Sequence, residues 1–204
     1  MTDSAALGAE WDERYTTFAD RMPDDAPSAV LIDVAEKLTP GTALDIGCGI
    51  GANAIWLATQ GWTVTALDVS QVALDRATAR AQQAGAEVRW MLGRLEDLAV
   101  PPSDFVVAHY PALRHSPGHD ADRALLAAVA PGGTLLVVHH ANVEIERAKA
   151  HGFDPSDYLA HDDVAGLFGT DWDVTIERER PRDNPAGIDG QHTHDDIVVA
   201  RRKR

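Results

Sequence analysis

Leu44-Asp45-Ile46-Gly47-Cys48-Gly49-Ile50-Gly51 is the stretch whose reading decides the fold. Thr42–Ile46 (TALDI) carries the short apolar run of a buried strand. Glycines follow at 47, 49 and 51, and Ala52–Gln60 then reads as a helix stopped by Gly61. A strand, a glycine loop and a helix in succession bring backbone N–H groups to a ligand with no side chain in the way. Trp62–Leu67 (WTVTAL) alternates and is rich in β-branched residues, which predicts a second strand. Asp68 ends it, 21 residues after Gly47. A carboxylate at that place can accept hydrogen bonds from both ribose hydroxyls of an adenosine cofactor.

Outward from this motif the chain alternates. Before it, Pro23–Pro27 (PDDAP) reads as a short turn, and a helix over Ser28–Leu38 stops at Thr39-Pro40-Gly41. After it, Ser70 can cap a long alanine-rich helix that ends near Gly85. Strands are expected at Glu87–Leu92, Asp104–His109 and Thr134–His139, with a helix over Asp120–Ala130 that meets Pro131-Gly132-Gly133. A short helix at His161–Phe168 precedes two last strands, Trp172–Arg180 and Thr193–Arg201, joined by a polar loop over Pro181–Gln191. Interleaved strands and helices predict a doubly wound, mostly parallel α/β sheet of seven strands with helices on both faces. The closing pair of strands predicts an antiparallel last strand. Ligands in such sheets sit at the carboxyl ends of the strands, so the loops after Ile46, Leu67, Leu92 and His109 should line the site.

Composition narrows the partner. The 204 residues suit one α/β domain, with 1–40 as a helical cap segment, and 45 % hydrophobic residues suffice for a core. No apolar run reaches the roughly 18–20 residues that cross a bilayer. The acidic start MTDSAALGAEWDERY lacks the order of a signal peptide, and one cysteine fits a reducing compartment, so a cytoplasmic location is expected. A net charge of −14 repels nucleic-acid phosphates, and the basic cluster Arg201–Arg204 reads as the solvated end of a strand. A small-molecule partner is therefore expected, with no nucleic acid and no membrane.

Two cofactors compete for the glycine loop. The dinucleotide fingerprint is GxGxxG, with a pyrophosphate on the helix N-terminus. Here the spacing is GxGxG, residue 52 is alanine, and Asp45 precedes the first glycine. That acid is unfavourable beside a pyrophosphate and favourable beside an ammonium and a sulfonium. The electrostatics point to S-adenosylmethionine, with S-adenosylhomocysteine as product.

LDIGCGIGANAIWLA (44–58), ALDVS (66–70) and APGGTLLVV (130–138) resemble the motifs of the class I S-adenosylmethionine-dependent methyltransferases, over roughly Trp11 to Val138. WDERY (11–15) and GWTVTALDVS (61–70) are similar to those of small bacterial methyltransferases of the tellurite-resistance and thiopurine-like type. The resemblance implies a Rossmann-like domain with Gly47, Cys48, Gly49 and Gly51 along the methionine portion and Asp45 near its amino group. It further implies Asp68 on the ribose, Val69 on the adenine, and the loop Gly93–Leu98 beside the ring. Many family members carry an acid where Arg94 stands, so either the Leu95 backbone or Glu96 takes the adenine contact, or the adenine is held less specifically.

Methyl transfer needs orientation more than a catalytic constellation. The candidate acceptor face follows the fourth strand, with His109 and Tyr110 near the reacting methyl, His109 also against the cofactor, and His115 as a candidate base. Arg114 lies nearby. His109-Tyr110-Pro111-Ala112 does not match the Asn/Asp-Pro-Pro-Tyr/Phe motif of DNA amino-methyltransferases. The pairs His139/His140 and His192/His194 could shape the acceptor pocket, whereas no HxxxH on a helix and no Cys/His spacing calls for a metal. Trp11 and Tyr15, four apart, share a helix face, either over the cofactor or in a packing seam. Two other functions remain: a nicotinamide-dependent oxidoreductase, which the glycine spacing and Asp45 oppose, and a non-catalytic module that only binds S-adenosylmethionine. The sequence leaves the acceptor and the oligomeric state open.

Overall fold

The computed structural model describes residues 3–17, 26–150, 153–186 and 192–204. Helix α1 (Asp3–Thr17) precedes α2 (Ala29–Ala35), strand β1 (Thr42–Ile46), α3 (Ala52–Thr59), β2 (Thr63–Asp68), α4 (Gln71–Ala84) and β3 (Val88–Leu92). Then come β4 (Ser103–His109), α5 (Asp120–Ala127), β5 (Val129–His140), α6 (Ile145–Ala150), α7 (His161–Ala165), β6 (Trp172–Ala186) and β7 (His192–Arg202). The strands form one sheet in the order β3-β2-β1-β4-β5-β7-β6. β1 to β5 pair in parallel, and β7 runs antiparallel to both β5 and β6. This is the expected doubly wound sheet, and its winding reverses between β1 and β4.

Alternation along the strands divides the interior in two. In β4, Val106 and Ala108 join the apolar layer built with Leu44, Ile46, Leu135 and Leu125. Their neighbours Phe105 and Val107 face the opposite layer, with Leu31, Leu57, Leu136 and Ile197. Successive side chains of a strand point to opposite faces, so a strand buried on both must be apolar throughout. The helix signals act as expected at α4: Ser70 Oγ accepts the Ala73 amide at 3.1 Å, and Gly85 ends the helix in the left-handed conformation. Among the described residues no helix is long and apolar enough to cross a membrane.

Four expectations need correction. The helix expected to reach Ala130 ends at Ala127, because Val129 already pairs with Ser103. β5 then passes through Pro131-Gly132-Gly133 as an irregularity: pairing steps from Ser103↔Val129 to Phe105↔Thr134. β6 continues past Arg180 to Ala186, where a loop was expected; Pro181 is tolerated because β6 is the edge strand. The helix at His161 is one turn, to Ala165. α6 had no counterpart in the sequence reading. The turn expected at Pro23–Pro27 falls partly, and the end of the polar loop over 187–191 wholly, outside the described residues.

Gly51 has a packing task. Its φ is +82°, and a Cβ there would meet the Trp90 ring at 2.8 Å and Ala77 Cβ at 3.0 Å. Gly51→Val should therefore cost on the order of 2–4 kcal/mol, from the left-handed backbone and the displaced ring. Thermal unfolding should show a midpoint lower by about 5–15 °C; an unchanged midpoint would mean that α3 docks without this close approach.

Candidate active site

Two adjoining cavities open at the switch point, where β1 and β4 part. The larger, about 390 Å³, is walled by Asp45, Gly47, Cys48 and Gly49 on one side and by Pro27, Ala29 and Val30 opposite. His109, Tyr110, Arg182 and Asp195 close its far end. The smaller, about 70 Å³, lies among Trp11, Asp68, Val69, Leu95 and Glu96. Tyr15, Gly47 and Tyr110 line both.

Asp68 ties the loop to the second strand. One carboxylate oxygen accepts the Gly49 amide at 2.8 Å and the other the Ser70 amide at 2.9 Å. The carboxylate is buried; desolvation raises its pKa while these amides oppose the rise. Asp45 differs. It is buried to 1 % exposure, and among the described residues no group meets either carboxylate oxygen in full hydrogen-bond geometry, although the Ala54 amide is directed at it and opposes the rise in its pKa. Burial first, and the Asp68 charge second, push it up to about 7. A buried acid on a cavity wall is costly unless a cation joins it.

The smaller cavity has its own group without a partner among the described residues, the buried Trp11 indole N–H. α1 carries Trp11 to this wall and is fastened by Asp12, whose carboxylate accepts the Ser70 hydroxyl at 2.6 Å and the Val72 amide at 3.1 Å. Arg94 Nε donates to Glu96 Oε1 at 2.7 Å, so Glu96 faces the cavity already paired with a cation. Tyr15 is packed over Gly49, where a Cβ would lie 2.7 Å from the tyrosine oxygen.

The far end is a stacked polar cluster. Tyr110 stands just after β4 at φ +52°, a strained conformation for an aromatic residue. Its hydroxyl donates to Asp195, with the carboxylate oxygens at 2.9 and 3.0 Å, and accepts from Arg182. Its ring lies 3.8 Å from His140, which stacks on His192 at 3.9 Å. His109, set edge-on to Tyr110 at 4.2 Å, has a buried Nε2 with no partner among the described residues. Desolvation holds His109 down at about 3, and lowers His140 too, so both are neutral at pH 7.

The sequence candidates thus divide. Asp45, Gly47, Cys48, Gly49, His109 and Tyr110 meet on the larger cavity, and Asp68, Val69, Leu95 and Glu96 on the smaller. Gly51 and His115 line neither. Gly51 faces Trp90, and His115 is half exposed with its Nε2 3.4 Å from Asp163. His139 turns to the Leu159 carbonyl at 3.1 Å. Sequence reasoning missed the joint role of Arg182 and Asp195. Arg182 lies in a stretch that read as a loop, and Asp195 reaches Tyr110 only through the β5–β7 pairing, where it stands opposite His140. No local pattern signals that pairing.

The fold and the cradle suit an adenosine-containing cofactor with a cationic end. Asp45 fits an ammonium and the glycine amides a carboxylate-bearing chain. Residues 43–133 match the family described as a methyltransferase domain. The chain is 35 % identical over 122 residues to the ribosomal RNA small subunit methyltransferase C of Alcanivorax borkumensis, covering 56 % of this chain and 38 % of that one. It is 42 % identical over 95 residues to the ubiquinone biosynthesis O-methyltransferase of Rickettsia conorii, covering 47 % and 32 %. The chain therefore spans about a third of the length of these two curated relatives. In fold it resembles a protein solved in connection with the conversion of a disulfide bond into a thioacetal group during echinomycin biosynthesis. The TM-score is 0.76 at 22 % identity, over 97 % of this chain and 92 % of the other.

Asp45→Asn separates the two demands on this residue. Its raised pKa means that the folded state gives up stability as pH climbs from 3.8 toward 7 and holds that deficit above. The ligand-free variant should melt higher than the parent by a margin that is absent near pH 4, grows to pH 7 and then levels. The same variant should bind S-adenosylhomocysteine about tenfold more weakly, for want of an anion beside the ammonium. A variant that melts lower at pH 8, or binds equally well, would show that Asp45 has another partner.

Proposed function

We propose that the protein transfers the methyl group of S-adenosylmethionine to a small-molecule acceptor bound at the far end of the larger cavity. The observation that carries this reading is the pair of cavities joined at the glycine loop, with the buried Asp45 carboxylate in one and the Asp68–Val69 turn in the other. Asp45 would pair with the cofactor's ammonium, Asp68 would share its carboxylate between the loop amides and the ribose, and Val69 and Leu95 would pack on the adenine. Trp11 would offer its N–H to a ring nitrogen, a contact the Arg94–Glu96 pair does not supply. The cofactor brings a methyl already activated by its sulfonium, so the protein's task is alignment, worth about 7–11 kcal/mol when reactants are well placed. The proton an acceptor loses has one neutral candidate receiver on this wall, His109 Nε2, whose low basicity favours acceptors that ionise readily.

The small-molecule reading draws support from the net charge of −14 and from relatives named for ubiquinone biosynthesis. A relative named for ribosomal RNA keeps the nucleic-acid reading in play; the acidic chain counts against it. We further propose that all 204 residues act as one domain and that the protein works in the cytoplasm.

Calorimetric titration with S-adenosylhomocysteine, and with NAD in parallel, tests the reading. Micromolar binding of the first and none of the second is expected, strengthening as pH rises through 7 and Asp45 ionises. Preference for NAD would return the fold to the oxidoreductases. A protein that binds S-adenosylhomocysteine but transfers no tritiated methyl to any quinol, phenol, thiol, amine or RNA offered would be a binding module.

A further inference from the structure

The match to the methyltransferase domain ends at residue 133, yet the residues that grip Tyr110 come from the end of β5 and from β6 and β7, beyond it. Tyr110 is held on every side. Its amide donates to Val138 O at 2.8 Å, its ring stacks on His140, its hydroxyl donates to Asp195, and Arg182 donates to that hydroxyl. Asp195 is itself buried, with Arg182 Nη1 3.5 Å away and His140 Nδ1 at 3.7 Å. Such a concentration of contacts on one strained residue is what fixes a backbone in a conformation it would otherwise leave.

The place of the grip gives it meaning. Three described residues line both cavities: Gly47, which has no side chain, Tyr15 on α1, and Tyr110. On the cofactor reading above, on which this inference rests, the adenosyl and amino-acid ends lie in different cavities, and the sulfur that joins them lies at the narrows between. Tyr110 is the side chain the sheet contributes there, with the Asp195 carboxylate behind its hydroxyl.

We propose that Asp195 and Arg182 are positioning residues that hold Tyr110 at the sulfur centre, and that this clamp sets how strongly the methyl-bearing cofactor is held relative to its demethylated product. The two ligands share the adenosine and the amino-acid end and differ in the methyl and the positive charge on sulfur. Their affinity ratio thus reports on the surroundings of that one atom. Changes in the glycine loop, which meets the amino-acid end that both ligands share, should shift both affinities together and leave the ratio nearly constant.

The experiment measures S-adenosylmethionine and S-adenosylhomocysteine affinities by calorimetry for the parent, Tyr110→Phe, Asp195→Ala, Asp195→Asn, Arg182→Met and the Tyr110→Phe/Asp195→Ala double variant. Tyr110→Phe and Asp195→Ala should each change the ratio by about fivefold or more, since a charge or aromatic face beside a desolvated cation is worth that much. The double variant should match the single ones, because both break the same clamp. Asp195→Asn, which keeps an acceptor for the tyrosine hydroxyl, should recover part of the ratio. Ratios within twofold of the parent in all variants, or additive effects in the double, would overturn the proposal. Should Asp195→Ala fail to fold, Tyr110→Phe and Arg182→Met decide the question by the same ratio. If the folded parent binds neither ligand, the cofactor reading itself has failed, a result distinct from an unmoved ratio.

Discussion

Two backbone amides, those of Gly49 and Ser70, converge on the Asp68 carboxylate. That one side chain fastens the glycine loop after β1 to the turn between β2 and α4, and so fixes the cradle from both strands. Asp12 reaches the same turn from α1, through the Ser70 hydroxyl, and brings Trp11 and Tyr15 to the cavity walls. The arrangement explains why Asp68 is a poor residue for probing ligand contacts alone. Its removal would leave two buried amides unpaired, which costs about 1–3 kcal/mol each before any ligand is considered.

The site gives up stability in two places. Asp45 is a buried acid with no charged partner among the described residues, and Tyr110 sits in a left-handed conformation. Both lie on the larger cavity. Deficits of this kind persist where the surrounding structure over-determines them, and they mark where a ligand or a reaction is served. The half-buried neutral histidines beside Tyr110 extend the pattern, since desolvation holds them uncharged.

The first half of the chain was legible because its signals are local. TALDI is buried because both faces of β1 are covered, Ser70 caps α4 within three residues, and Gly85 ends it. Spacing and charge were enough to bring Asp45, Gly47, Gly49 and Asp68 to one end of the sheet. They were not enough at Gly51, whose glycine answers to Trp90, a contact across 39 positions that no motif encodes. The last third was read less well for the same reason. β6 and β7 are held by pairing with distant strands, Pro181 read as a breaker although an edge strand accepts it, and the Tyr110–Asp195 contact spans 85 positions. Histidines 140 and 192 drew notice as pairs along the chain, and they matter as partners of each other.

The most direct test of the central claim is a crystal structure of the protein grown with S-adenosylhomocysteine. Density with the ammonium against Asp45, the ribose at Asp68 and the adenine between Val69 and Leu95 is the predicted result. A ligand bound elsewhere, or one whose adenine and amino-acid ends are exchanged between the two cavities, would contradict the account.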